Sequence, residues 1–231
     1  MDLPRYEGNI HPDEWICNIQ KFDYYWRAKY GLGYLDIAIS LVDATIKLPD
    51  DIFTGEELRK YLSSIKNLSY ITGSKSQMVF VGSTEPVPNS LWKIKFDKEL
   101  ATYPDTPINL QHIKSEMFLG LSFNRNTHYP HNYYYLRSPC TKYTEVSCNG
   151  NDKDWIFRHS KFENYDGSLK SNDTINLSIK KTKVINDKEE FLSSHDIHCS
   201  IGNYTFQEVV CLSDRLGRNE EWCIELIHGG S

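Results

Sequence analysis

The 231-residue chain has no run approaching 18 apolar residues, so it carries no candidate spanning helix. Its opening, MDLPRYEGNIHPDEW, has no basic stretch followed by an apolar core, which is what a secretory signal requires. A cytoplasmic location is the expectation. There is no run of Lys or Arg, and 26 basic residues stand against 31 acidic ones for a formal charge of −5. That balance excludes the electrostatic footprint of a nucleic-acid binder or of a protein docking on anionic lipid. No P-loop, H-E-x-x-H, G-x-S-x-G or kinase signature occurs. What is abundant is buried-type side chain: 39% hydrophobic and 13% aromatic residues, with 15 Tyr and 10 Phe. Such a chain folds rather than remaining disordered.

Cysteines occur at 17, 140, 148, 199, 211 and 223, and no two are spaced as C-x-x-C. Neither a zinc ribbon nor a thioredoxin-type motif can be built from them. They are expected to be reduced thiols, mostly buried and acting as small hydrophobes. Asn67, Asn172, Asn176 and Asn203 each open a glycosylation acceptor pattern, which without a signal is inert.

Residues 10–62 have helical period. Pro12, Asp13 and Glu14 suit a first helical turn, and Trp15, Ile19, Phe22 and Trp26 then form one apolar stripe. Leu35, Ile39 and Val42, with Ala38 and Leu41, form a second beyond Gly31-Leu32-Gly33, so an antiparallel helical hairpin is the simplest arrangement. Thr54-Gly55-Glu56-Glu57 resembles a capping box before Leu58, Tyr61 and Leu62; a short third helix there competes with a strand. The region is acidic, with 7 Lys+Arg against 11 Asp+Glu over residues 1–64.

Beyond residue 65 the period becomes two and the chain repeats itself. Trp92-Lys93-Ile94-Lys95-Phe96, Trp155-Ile156-Phe157-Arg158 and Trp222-Cys223-Ile224-Glu225-Leu226 are three alternating segments, their tryptophans 63 and 67 residues apart. Upstream of each, alternate positions match again: Gln77, Val79, Val81; Thr144, Val146, Cys148; Gln207, Val209, Cys211. Glu145-Val146 and Glu208-Val209 are identical pairs. Further upstream stand Tyr61-Leu62-Ser63-Ser64, Phe118-Leu119-Gly120-Leu121-Ser122 and Phe191-Leu192-Ser193-Ser194, the last two preceded by an identical Ile-Asn-Leu at 108–110 and 175–177. Leu62 to Val79 and Leu192 to Val209 both span 17 residues, but Leu119 to Val146 spans 27. A loop of about ten residues carrying Tyr133-Tyr134-Tyr135 is therefore inserted in the second copy.

Each copy reads as four strands with too little apolar surface to stand alone. Three copies around an axis bury a shared core in which equivalent Trp, Val and Leu positions form layers, with Lys93, Lys95, Arg158 and Glu225 outward by alternation. The expected fold is mainly β: a β-trefoil over 61–228 preceded by a short α-helical N-terminal segment over 1–60. The first copy lacks an Ile-Asn-Leu strand. Either Ala44-Thr45-Ile46-Lys47-Leu48 supplies it or the trefoil is incomplete there, and the incomplete reading is preferred.

The third copy, with Leu192-Ser193-Ser194-His195, then Gly202, then Gln207-Glu208-Val209-Val210-Cys211, then Asn219-Glu220-Glu221-Trp222, resembles the MIR domain, the β-trefoil of protein O-mannosyltransferases, their stand-alone relatives, and the inositol trisphosphate and ryanodine receptors. The resemblance is best in the third copy, fades towards the first, and covers roughly 60–227. It implies a non-catalytic binding or assembly module. The chain lacks the transferase's membrane and catalytic regions, and Arg215 and Arg218 are too few for an inositol phosphate. Tyr6-Glu7-Gly8-Asn9-Ile10-His11-Pro12-Asp13-Glu14-Trp15-Ile16 is similar to the start of retrotransposon Gag-like capsid domains, of which about 55 residues hold only a fragment.

Among chemical candidates, His195 and His198 in an extended strand point to opposite faces, so His195-Asp196-Ile197-His198-Cys199 reads as a core-edge motif and no metal is expected. His128-Tyr129-Pro130-His131 rates no higher. Gly31-Leu32-Gly33 lacks the third glycine and the preceding strand of a dinucleotide site; no cofactor is expected. The aromatic patch Tyr133, Tyr134 and Tyr135 is the candidate ligand-binding surface, against the alternative that these tyrosines cover the barrel end. The resulting expectation is a non-enzymatic module recognising a protein or a glycan. The alternative is a structural protein that self-associates into homo-oligomers through its N-terminal helices.

Overall fold

The computed structural model describes residues 43–47 and most of 60–226; residues 1–42, 48–59, 227–231 and several short stretches between 70 and 217 lie outside the described residues. The expected helical stripes, the capping box, the Gag-like opening and the segment 128–131 fall there. No helix among the described residues is long and apolar enough to cross a membrane.

Among the described residues fourteen strands follow one another, four in each of three units plus one inserted pair. The first unit holds β1 (Asp43–Lys47), β2 (Leu62–Ser69), β3 (Gln77–Val81) and β4 (Leu91–Lys95). The second holds β5 (Pro107–His112), β6 (Leu119–Leu121), the inserted β7 (Phe123–Arg125) and β8 (Tyr133–Tyr135), then β9 (Thr144–Cys148) and β10 (Trp155–His159). The third holds β11 (Thr174–Lys180), β12 (Glu189–Ile201), β13 (Tyr204–Leu212) and β14 (Glu221–Leu226).

First and fourth strands of the units pair in the cyclic order β10, β5, β4, β1, β14, β11 and back to β10, a closed six-stranded antiparallel barrel without free edges. Second and third strands make hairpins: β2 with β3, β6 with β9, β12 with β13. These cap one end because β3, β9 and β13 each pair with the other two around the pseudo-threefold axis. This is the mainly β, trefoil-like architecture read from the repeats.

The repeated residues occupy the shared interior. Leu62, Leu119 and Leu192, Val79, Val146 and Val209, and Trp92, Trp155 and Trp222 belong to one buried cluster. Each indole Nε1 donates to the carbonyl of the leucine of its own unit: Trp92 to Leu62 at 3.0 Å, Trp155 to Leu119 at 2.9 Å, Trp222 to Leu192 at 2.9 Å. A buried indole N–H must find an acceptor, and the same one serves three times. Where units one and three have Ser63 and Ser193, the second has Gly120, whose Cα lies against Asp152 and Gly150; a β-carbon there would collide with the Asp152 carbonyl.

One expectation is overturned. The first unit is complete: β1 pairs with β4 and β14, with Ala44 and Ile46 buried in the core. The barrel needs a sixth strand, and this segment closes it, so the β region begins ahead of the expected 60/61 boundary.

Candidate functional site

The inserted β7–β8 hairpin is a two-stranded sheet apart from the main one. A lone hairpin is marginal in water, so it must be tied down, and Tyr135 does this. Its ring is 5% exposed and part of the core. The Tyr135 hydroxyl donates to Asp152 and accepts from the Lys183 amide at 3.3 Å. Asp152 also accepts from the Thr182 hydroxyl at 2.7 Å and the Thr182 amide at 3.2 Å. Burial, and then the Asp152 carboxylate, push the Tyr135 phenol well above its ordinary value.

Strand alternation splits the tyrosine triplet. Opposite residues share a face, so Phe123 with Tyr135 and Arg125 with Tyr133 lie on one side, and Asn124 with Tyr134 on the other. Tyr133 is half-buried, edge-on to Phe123 at 5.5 Å, with the Lys183 ammonium 5.9 Å from its ring. Tyr134 is 50% exposed and Asn124 is exposed beside it. Of the three candidate residues, Tyr135 is therefore an anchor, Tyr133 lies at a packed edge, and Tyr134 faces solvent.

Below the hairpin lies a buried ion pair. Lys181 Nζ stands 2.5 Å from Glu190 Oε1, donates to Thr144 Oγ1 at 2.8 Å, and sits 5.0 Å from the centre of the Tyr135 ring. These contacts join the insertion to the third unit.

A second polar pocket lies where the end of the insertion meets β12 and β13. Cys140 and Cys199, Cα atoms 6.2 Å apart, form a disulfide. The expectation of uniformly reduced thiols is corrected here: 59 residues of chain separate the two, and only the fold brings them together. Cys148, Cys211 and Cys223 are buried as expected. Burial drives the Cys148 thiol up to about 12 and raises Cys211 as well, which keeps both thiols protonated. Beside the disulfide, Glu208 is wholly buried and accepts from the Ser138 hydroxyl. Burial raises its carboxyl above the usual range, and the Thr141 hydroxyl and amide pull partly back. His195 Nε2 lies 3.6 Å from Glu208 Oε2, while His198 is exposed.

Sequence reasoning missed Asn124, Asp152, Lys181 and Glu208. For Glu208 a signal existed: its equivalent in the first unit is Met78, which is fully buried.

No protein-family model matches the chain, and no curated protein does. Solved structures do. An SDF2-like protein from Arabidopsis thaliana superposes with a TM-score of 0.57 at 20% identity, covering 79% of this chain and 92% of that one. A Caenorhabditis elegans protein of unknown function gives 0.57 at 16% identity, covering 79% and 92%. The Saccharomyces cerevisiae O-mannosyltransferase complex Pmt1-Pmt2, bound to its sugar donor, gives 0.55 at 19%, covering 80% of this chain and 24% of that one. At these identities the likeness is one of fold, and the fold fits a MIR-like β-trefoil.

Proposed function

We propose that this MIR-like β-trefoil is a non-catalytic binding module that takes a glycan on the outer face of the β7–β8 hairpin. The observation that carries the reading is the pairing of Tyr134 with Asn124 on a solvent face of an insertion found in one unit only. An exposed ring offers an apolar platform for the C–H face of a pyranose, and a neighbouring amide offers a donor and an acceptor for its hydroxyls. Tyr135, Asp152 and Thr182 hold the hairpin in place, which lowers the cost of ordering it on binding. Those polar groups are occupied with one another, which leaves them poorly suited to acid–base work. A protein ligand for the same face is the second outcome that the test separates.

The test is a glycan array probed with the full chain and with Tyr134→Ala. The expected result is binding to a defined sugar set that falls at least tenfold in the variant, with the unfolding midpoint unchanged. An array silent for the native chain, or binding equal in both proteins, overturns the reading; silence directs the search to a protein ligand.

A further inference from the structure

We propose that Cys140, Cys199 and Glu208 form a redox-gated site for a zinc-like divalent cation, closed as a disulfide under oxidising conditions and able to take the metal once reduced. The site is independent of the hairpin face. The two sulfurs and a Glu208 carboxylate oxygen all lie within 4.8 Å of one another. Cys199 Sγ is 3.5 Å from Glu208 Oε1, and His195 Nε2 is 3.6 Å from Glu208 Oε2. Ligands about 2.0–2.3 Å from a tetrahedral zinc stand about 3.3–3.8 Å from one another, so the Cys199 sulfur and the Glu208 carboxylate are already at a coordination edge.

Unmet polar atoms point to a ligand independently of that spacing. Glu208 is 0% exposed, yet its Oε2 has no hydrogen-bond partner, and neither ring nitrogen of the largely buried His195 has one. Leaving a buried polar atom unpaired is costly, and the fully buried Glu208 Oε2, beside the two sulfurs, is such an atom. A disulfide alone does not satisfy it. A cation held by two thiolates would engage the Glu208 carboxylate as well, and a donor set of two sulfurs and one carboxylate oxygen selects zinc over magnesium or calcium. Cys140, at the end of the insertion, is exposed and gives a reductant access, while Cys199 is buried.

The chemistry balances. A dithiol reductant passes two electrons to the Cys140–Cys199 bond, giving two thiols and the cyclic disulfide of the reductant. Metal binding then displaces one proton from each thiol. The arrangement ties the end of the insertion to β12 and β13 in either state, through a covalent bond or through the metal.

The test uses the full chain, reduced with a phosphine, desalted without oxygen and titrated with zinc against a chromophoric chelator, then with Co²⁺ as a spectroscopic probe. The expected result is one equivalent per chain, with thiolate-to-cobalt charge transfer and the ligand-field bands of a tetrahedral site. The oxidised protein should take none. Cys140→Ser, which changes an exposed residue, should weaken binding at least tenfold, as should the isosteric Glu208→Gln, with native circular dichroism in both. No stoichiometric binding by the reduced chain, an octahedral cobalt spectrum, or affinity unchanged in Cys140→Ser would each overturn the proposal.

Discussion

Trp222 Nε1 donates a 2.9 Å hydrogen bond to the carbonyl of Leu192, thirty residues earlier in the same unit and buried with it in one core. The equivalent bonds of Trp92 and Trp155 make this the recurring clasp between the fourth strand of each unit and its cap. Trp222→Ala should cost about 3–5 kcal/mol of stability. Trp222→Phe keeps most of the apolar contact but orphans the carbonyl, and should cost about 1–3 kcal/mol. Denaturant unfolding measures both, and a midpoint unmoved in the alanine variant would remove this indole from the core.

Lys181 and Glu190, each 6% exposed, hold one another within the third unit, where Lys181 also meets the Tyr135 ring of the insertion. Removing one partner strands a buried charge, so Lys181→Met should destabilise by about 3–5 kcal/mol. Adding Glu190→Leu to that variant should recover much of the loss. Equal destabilisation in the single and double variants would contradict the pairing.

Two neighbouring tyrosines should behave oppositely. Tyr135→Phe deprives Asp152 of a buried donor and should cost about 1–3 kcal/mol. Tyr134→Ala, on the solvent face, should stay within about 0.5 kcal/mol. Thermal unfolding of both variants checks the assignment, which fails if Tyr134→Ala is the less stable.

His112 supplies a pH dependence. It is fully buried, with Nε2 3.1 Å from the Asn89 carbonyl and Nδ1 2.8 Å from the Ser115 hydroxyl. Burial lowers its pKa from the ordinary 6.5; the Asn89 carbonyl acts against this and Lys114 adds to it. Between the lowered folded value and 6.5, the unfolded chain binds a proton that the folded chain refuses. The stability tied to neutral His112 is therefore complete above about pH 6.5 and is lost as pH falls through that window. Glu145, its carboxyl raised by burial with Ser74 hydrogen bonds partly offsetting, contributes in the opposite sense. It does so equally in a His112→Gln variant. The melting-temperature gap between native chain and variant should narrow from about pH 8 to about pH 5; a constant gap would contradict the shift.

The triplicated β unit was legible because a strand with one covered face writes its orientation as a two-residue period, and the same tryptophan, valine and leucine recur in register. Strand β1 was not. Asp43-Ala44-Thr45-Ile46-Lys47 offers only two inward apolar residues, follows a stripe of helical spacing, and buries even Lys47, which is 3% exposed. The burial of Glu145 and Glu208 was not legible for a related reason. Alternation sends them outward, but the cap strands β9 and β13 are covered on both faces. The tyrosine insertion was visible as ten extra residues, while its division into anchor and exposed face needed the register of β7 against β8.

The sequence by itself determined the threefold repetition, the identity of the core layers and the place of the insertion, since each is carried by short-range spacing that any strand must obey. Only the tertiary structure decided that Asp43–Lys47 closes the barrel, that Cys140 meets Cys199, and that Glu208 and His195 face each other. Those contacts join residues far apart in the chain, and their partners are chosen by closure about an axis that no local periodicity encodes.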